Sequence, residues 1–441
     1  MAKKVGMISL GCPKNQVDAE IMLSKLKDGG FEIVNDPVEA DVVIVNTCGF
    51  IEDAKRESIE NILDMISYKE DCENLKVLIT GCLAERYQAE IFEEIPETDA
   101  VIGIGANEYI CEICDRIING EKVESFPPKT DLKIEGDRIL TTPPYSAYLK
   151  IAEGCSNHCT YCAIPSIRGP FRSRPSESIL EEAKKLADSG VKELVVVAQD
   201  TTRYGEDLYG KNALAPLLKA LSMIEGIEWI RLLYLYPERI DDVLIDEIAN
   251  NDKIVKYMDI PLQHCNKNVL KRMNRHGDRE SLTALLKKIR EKIPGVTIRT
   301  TFIAGFPGET EEEFNELCEF VEEMKFERMG CFAYSEEEGT PAVKLDGMMD
   351  FDVRQERADI INENQSVILD KINDSLIGKV LPTIVEGYDP YSDSYYGRTY
   401  MDAPEIDTQI YFTCGYDLKD GDIVEVDVIN VIDGELTGEV L

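Results

Sequence analysis

No stretch of this 441-residue chain approaches the roughly 18 consecutive apolar residues that a membrane span needs, so no membrane partner is expected. Nothing at the N-terminus resembles a secretory signal. After Met1-Ala2-Lys3-Lys4 the apolar run 5–10 is short and ends in Gly-Cys-Pro-Lys. Cysteine is too sparse for a disulfide scaffold, yet 13 residues, an odd number, are too many to pass over. These absences point to the reducing cytoplasm, where thiols serve as free side chains, metal ligands or catalysts. Basic residues are also scarce: 48 Lys and Arg face 84 Asp and Glu, a net charge of −36. Such a surface repels phosphate backbones and attracts basic partners, although solubility alone accounts for much whole-chain charge. Solenoid repeats and low-complexity tracts are absent. A composition of 44% apolar and 30% charged residues suits a globular protein with real cores, and the length asks for two or three domains.

Three segments follow from the pattern. Residues 1–120 alternate apolar runs (5–10, 42–46, 77–80) with amphipathic stretches (15–27, 52–67), which predicts a doubly wound α/β domain. Residues 121–144 contain Pro127-Pro128 and Pro143-Pro144 and read as a linker. Between 145 and 372, strands at 148–152, 193–198, 229–233, 257–260, 297–303 and 328–332 alternate with helices such as 178–189, 213–222, 278–292 and 310–324. That rhythm predicts a full or partial TIM-like (β/α) barrel, with its active site at the C-terminal ends of the strands. Residues 373–441 switch to β-branched runs (379–386, 410–413, 423–432) between Gly, Asp and Pro turns, expected to form a small antiparallel, OB-like β-barrel. Over 375–441, 14 acidic residues face 3 basic ones, a charge of −11.

The cysteines carry the chemistry. Cys155-Ser-Asn-His-Cys159-Thr-Tyr-Cys162 is a C-x-x-x-C-x-x-C loop just past the strand at 148–152. Three thiolates on one tight loop can hold three corners of a 4Fe-4S cube. The open iron can then chelate the amino and carboxylate groups of S-adenosylmethionine (SAM). Zinc is the alternative, but closed zinc sites use four ligands, and a fourth nearby cysteine is lacking. Cys12, Cys48 and Cys82 are far apart in sequence, yet each follows an expected strand. The strand ends of a doubly wound sheet line one crevice, so these three thiols should converge there as a second cluster site. Three buried small hydrophobes would be the plain alternative. Gly11, Gly49 and Gly81 beside them allow close backbone approach. Cys111 and Cys114 fall within an expected helix and read as core, while Cys72, Cys265, Cys318, Cys331 and Cys414 are isolated and structural.

Two further segments suit SAM. Ile303, Gly305 and Gly308 lie where a strand turns into a helix, and could pack an adenine; a plain strand-to-helix turn is the alternative. Gln199 and Asp200 sit at the end of another barrel strand, where the amino group of SAM would lie.

With both cysteine sets placed, the chain resembles the methylthiotransferase family of radical SAM enzymes over essentially its whole length. The resemblance implies an N-terminal domain with an auxiliary 4Fe-4S cluster on Cys12, Cys48 and Cys82. It implies a radical SAM cluster on Cys155, Cys159 and Cys162, and a C-terminal TRAM barrel for the substrate. Ala198-Gln199-Asp200 stands where the superfamily usually has Gly-Gly-Glu. The runs Ser9-Leu10-Gly11-Cys12-Pro13-Lys14-Asn15 and Ala198–Gly205 are similar to the RimO branch, which modifies the β-carbon of an aspartate in the twelfth small-subunit ribosomal protein. The acidic tail agrees independently, because it suits a basic protein, free or in the ribosome, better than tRNA phosphates. Tyr388, Tyr391, Tyr395, Tyr396 and Tyr400 could add contact area there. The branch implies two SAM per turnover, one as radical source and one as methyl donor, and an electron donor such as flavodoxin or ferredoxin. The alternative is a MiaB-like enzyme acting on tRNA.

Overall fold

The computed structural model describes residues 2–72 and 74–441. Six parallel strands form the first sheet: β1 (Lys4–Ser9), β2 (Glu32–Ile33), β3 (Val42–Thr47), β4 (Lys76–Gly81), β5 (Ala100–Ile102) and β6 (Val123–Ser125), in the order β2-β1-β3-β4-β5-β6. Alternate side chains of the central strands feed two cores. Val5, Val42, Ile44 and Leu78 pack against helices Pro13–Asp28 and Ile110–Ile118. Val43, Val45, Val77 and Ile79 pack against helices Glu52–Ser67 and Cys82–Tyr87 on the other face. This is the doubly wound expectation realised. The chain moves out from β1 to β2 and then returns to the other side of β1, so the topological switch point lies between β1 and β3. β6 lies within 121–144, read from sequence as a connector. Three residues with a polar Glu and Ser carry too little pattern to announce a strand.

The second sheet is also parallel: β7 (Ser146–Lys150), β10 (Glu193–Val197), β11 (Trp229–Leu232), β12 (Ile254–Asp259), β13 (Thr297–Ala304) and β14 (Arg328–Ala333), in the order β14-β13-β12-β11-β10-β7. It does not close, so the barrel is the partial form. Between β7 and β10, the short antiparallel pair β8 (Ala152–Glu153) and β9 (Arg172–Ser173) brackets the cysteine loop. Helices Ser176–Asp188, Leu214–Ser222, Arg279–Lys292 and Glu311–Met324 cover the outer face, where Leu149, Val196, Ile230, Met258 and Ile298 are buried. A 24-residue helix, Phe351–Asp374, runs beside edge strand β14. There the Asn362 amide both donates to the Cys331 carbonyl and accepts from its N–H, each at 2.9 Å, satisfying part of the open edge.

The third unit is a closed barrel, β15 (Val380–Asp389), β16 (Ser394–Thr399), β17 (Ile410–Thr413), β18 (Ile423–Ile432) and β19 (Glu435–Val440). Its pairs are antiparallel except β17 with β19, which run parallel. It seats on the N-terminal ends of the larger sheet. Glu193 receives Arg231 at 2.9 Å and Arg398 at 2.7 Å, and Arg328 pairs with Asp402. The Tyr400 hydroxyl donates to the Gly295 carbonyl at 2.9 Å. Above these pairs, Ile384 and Ala403 of the small barrel meet Val195, Val197 and Tyr257 of the lumen, joined by Val17 and Ile21 from the N-terminal domain. No helix among the described residues is long and apolar enough to cross a membrane.

Candidate functional site

Each of the first three cysteines leaves the C-terminal end of a strand. Cys12 follows β1 and takes the N-cap position of helix Pro13–Asp28; Cys48 directly follows β3; Cys82 directly follows β4 and opens helix Cys82–Tyr87. β1 and β3 flank the switch point, and β4 is next in the sheet. The loops interlock through glycine. A Cβ on Gly11 (φ +88°) would stand 2.6 Å from Cys48 Cβ and 2.8 Å from its Sγ. One on Gly49 would stand 2.7 Å from Leu83 Cα, at the Cys82 turn. The backbone can bring the three thiols together only because those side chains are missing. Ser58 fixes the middle loop, its hydroxyl accepting from Cys48 N–H at 3.0 Å and donating to Cys48 C=O at 2.9 Å.

The second trio lies on the loop between β8 and β9. Cys155, Cys159 and Cys162 are each partly exposed. The loop is braced from several sides. Cys155 N–H donates to Gly169 C=O at 3.1 Å, Thr160 N–H to Met273 C=O at 3.0 Å, and Asn157 Nδ2 to Asp200 Oδ2 at 2.8 Å. His158 is exposed at φ +52°, its carbonyl held by Asn274. The Tyr236 hydroxyl lies 3.9 Å from Cys159 Sγ, and the Arg275 guanidinium stacks 4.0 Å from the Tyr236 ring.

The two trios adjoin. Cys82 packs against Ala163 and Ile167, immediately after Cys162. Arg168, the last residue of helix Ile164–Arg168, donates from Nε to Cys82 Sγ at 3.3 Å. Its other donors reach Asp18 Oδ2 at 2.5 Å, Asn15 Oδ1 at 2.9 Å and Glu153 Oε2 at 3.4 Å. Lys150 completes the cluster, 3.0 Å from Glu153 and also paired with Asp18. All four charged groups are buried, two of each sign. Burial alone would raise the Glu153 carboxyl, but Lys150 and Arg168 pull it down to about 2, so it stays ionised.

Burial likewise pushes the thiols of Cys48 and Cys162 up, Cys155 to about 11 and Cys82 to about 12. Cys12 goes the other way. Lys14, Arg168 and the N–H groups of Asn15 and Lys14 outweigh its burial. Buried thiols of this kind are inert until a cation takes the place of the proton. Three soft donors per site, with no carboxylate or imidazole among them, match iron–sulfur chemistry rather than a hard cation. Among the described residues no three His, Cys, Asp or Glu side chains are grouped closely enough to hold a single metal ion. A cubane is gripped through three different irons, so its cysteine sulfurs stand farther apart than the ligands of one ion.

The residues expected to meet SAM divide. Gln199 donates from Nε2 to Glu153 Oε1 at 2.7 Å, and its buried Oε1 has no hydrogen-bond partner. Asp200 spends one oxygen on Asn157 and the other on Thr202, at 2.5 Å, and so braces the cysteine loop. Ile303 packs beside Phe306, Tyr334 and Tyr161. Gly305 and Gly308 face their own chain: a Cβ on Gly305 would strike Arg354, and Gly308 lies against Gly347. Four functional candidates escaped sequence reasoning: Lys14, Glu153, Arg168 and Tyr234. Tyr234 follows β11 at φ +62°, a strained setting for a tyrosine, and its N–H donates to Asp259 Oδ2 at 2.9 Å. No residue type marks such a backbone in advance.

Residues 4–103 match the Uncharacterized protein family UPF0004, residues 149–321 the Radical SAM superfamily and residues 377–441 the TRAM domain. Radical SAM membership carries a 4Fe-4S cluster and SAM. The chain is 50% identical over 450 residues to the ribosomal protein uS12 methylthiotransferase RimO of Acetivibrio thermocellus, covering 100% of this chain and 99% of the relative. It is 51% identical over 439 residues to the protein of that name from Thermoanaerobacter sp. strain X514, covering 99% and 100%. Among solved structures, the radical SAM methyltransferase TsrM of Kitasatospora setae, with cobalamin and a 4Fe-4S cluster bound, superposes with a TM-score of 0.57. That match has 16% identity and covers 78% of this chain and 77% of that one. The cobalamin-dependent radical enzyme OxsB gives 0.50 at 12% identity, covering 83% and 58%.

Proposed function

The chain belongs to the family of the ribosomal protein uS12 methylthiotransferases, and from that premise we propose that it inserts a methylthio group at the β-carbon of an aspartate in the basic small-subunit protein uS12. The observation that carries the reading is the pair of three-cysteine sites, on the C-terminal strand ends of two adjoining parallel sheets, in contact through Cys82, Ala163 and Arg168. A 4Fe-4S cluster and SAM at Cys155, Cys159 and Cys162 would supply the 5′-deoxyadenosyl radical, and a second cluster at Cys12, Cys48 and Cys82 the sulfur, with a second SAM giving the methyl group. An unactivated C–H bond is too weak an acid for a side-chain base, so removal of a hydrogen atom is the reaction such a target requires.

The chain's own part is to hold and to shield. Asn157, Asp200 and Thr202 fix the loop that carries Cys155 and Cys159. The free Oε1 of Gln199 can accept from the amino group of SAM, and the half-buried Ile303, backed by Phe306, offers an apolar contact for adenine. Asp18, Lys150, Glu153 and Arg168 fill the seam between the two sites with satisfied charge and keep bulk water from it. The terminal barrel presents Tyr391, 99% exposed, and Tyr388 beside it on an acidic surface that suits a basic protein. Tyr395 instead stacks on Phe412 within the barrel, and Tyr400 docks on the central domain. The electron would come from a low-potential donor such as flavodoxin or ferredoxin.

The test is anaerobic incubation of the iron-loaded chain with SAM, a reductant and either uS12 or tRNA. Mass spectrometry should find the methylthio increment on uS12. An increment confined to tRNA nucleosides would assign the chain the other substrate.

A further inference from the structure

Almost every buried cation in this chain has a carboxylate beside it. Arg168 and Lys150 have Asp18 and Glu153; Arg231 and Arg398 share Glu193; Arg328 has Asp402; Arg174 has Glu182 at 2.6 Å. Lys14 does not. It is 7% exposed, yet no carboxylate oxygen among the described residues comes within 4.0 Å of its Nζ. Its head lies 3.4 Å from the centroid of the Tyr234 ring, on the lumen side of the cysteine-bearing loop. The neighbouring Asp259 is engaged by Arg299 at 3.0 Å and by Tyr234 N–H at 2.9 Å. An ammonium taken from water without a counter-ion is costly, and a cation–π contact repays only part of the cost. Such a group is held in readiness for an anion.

Position says which anion. Lys14 is two residues from Cys12 and reaches over Tyr234, itself two residues from Tyr236, whose hydroxyl lies 3.9 Å from Cys159 Sγ. A group reacting between the two cysteine sites would therefore lie beside Lys14 Nζ. Arg275, the other buried cation without a carboxylate partner among the described residues, sits at the Cys159 end of the site, stacked on Tyr236 and donating to the Pro261 carbonyl at 2.8 Å. Resting on the function proposed above, we infer that Lys14 is a specificity-determining residue whose ammonium receives the side-chain carboxylate of the target aspartate. The strained Tyr234 forms the platform that aims it. One charge-assisted hydrogen bond would orient the β-carbon and reject the amide isostere, which brings a dipole where the site holds a full positive charge.

The competing role for Lys14 is to offset negative charge on the neighbouring cysteine site. The two roles part experimentally. Binding of uS12, and of uS12 with the target Asp replaced by Asn, is measured anaerobically by fluorescence anisotropy on the iron-loaded wild-type, Lys14→Gln and Lys14→Arg chains. Iron content is determined for each. The wild type should favour the Asp form by about tenfold or more, Lys14→Gln should lose that preference with its iron retained, and Lys14→Arg should keep most of it. A preference that survives in Lys14→Gln, or a wild type that binds both forms equally, overturns the inference; the second measurement needs no variant to fold. Failure of the functional reading is separate, since it appears as a wild type that leaves uS12 unmodified.

Discussion

Arg168 Nε donates to Cys82 Sγ at 3.3 Å while Nη1 of the same guanidinium meets Asp18 at 2.5 Å, so the helix behind one cysteine loop is fastened to the domain that carries the other trio. Removing it strands Asp18 and Glu153 with Lys150 as their one remaining cation. Arg168→Met should cost about 3–5 kcal/mol in chemical denaturation of the metal-free chain. Arg168→Lys should recover only part, because an ammonium cannot reach the sulfur, the carboxylates and Asn15 together. A loss under about 1 kcal/mol would show the seam to be unimportant to stability.

Gly11 is the second sensitive point. Gly11→Ala places a methyl 2.6 Å from Cys48 Cβ on a left-handed backbone (φ +88°). Strain of about 1–3 kcal/mol is expected, and Cys48 must move away from Cys12. Iron per chain after anaerobic reconstitution should fall toward one cluster's content, while the iron signal of the Cys155 loop persists. Full iron content would mean that the loops can give.

The two trios should separate by function. Cys159→Ala should abolish release of 5′-deoxyadenosine from SAM. Cys48→Ala should retain that release but form no methylthio product. Methylthiolated uS12 from Cys48→Ala would remove Cys12, Cys48 and Cys82 from sulfur delivery.

Seating of the terminal barrel carries a pH signature. Burial on its own would raise the Glu193 carboxyl, but Arg398 and Arg231 pull it down to about 2. The folded value lies below the unfolded one of about 4.3. The stabilisation is therefore fully present above about pH 5 and drains away as pH falls toward 2, about 3 kcal/mol in all. Thermal melts across that range should show the slope. Glu193→Gln, which leaves two guanidinium groups facing an amide, should be less stable at pH 7 and flatter below pH 5. A variant as steep as the wild type would place the titration elsewhere.

Much of this could be read from the chain. Helix Glu52–Ser67 falls on its expected residues, and Arg279–Lys292 and Glu311–Met324 begin one residue late, because apolar spacing and the caps at Asp278 and Thr310 are local signals. Cys12, Cys48 and Cys82 could be gathered because each follows a strand and parallel strands end on one side. Arg168 could not. Its partners Asp18, Glu153 and Cys82 lie up to 150 residues away, and nothing in the run Ile164–Arg168 marks its last residue as a bridge. Lys14 stood in view within Gly-Cys-Pro-Lys, but its lack of a counter-ion is a property of the folded chain. Gly305 lies against Arg354 of helix Phe351–Asp374, which had no sequence-level forecast, and Gly308 against Gly347, so their close backbone approach to the chain itself was not legible in the turn.

The joint at Glu193 has an evolutionary corollary. Its acid belongs to the central domain, one of its guanidinium groups to that domain and the other to the C-terminal module. A chimera that grafted a foreign terminal module onto this core would leave that trio incomplete unless the graft brought its own counterpart of Arg398. The terminal module of this chain is therefore not a freely interchangeable part, and its replacement requires coordinated change on both sides of the joint.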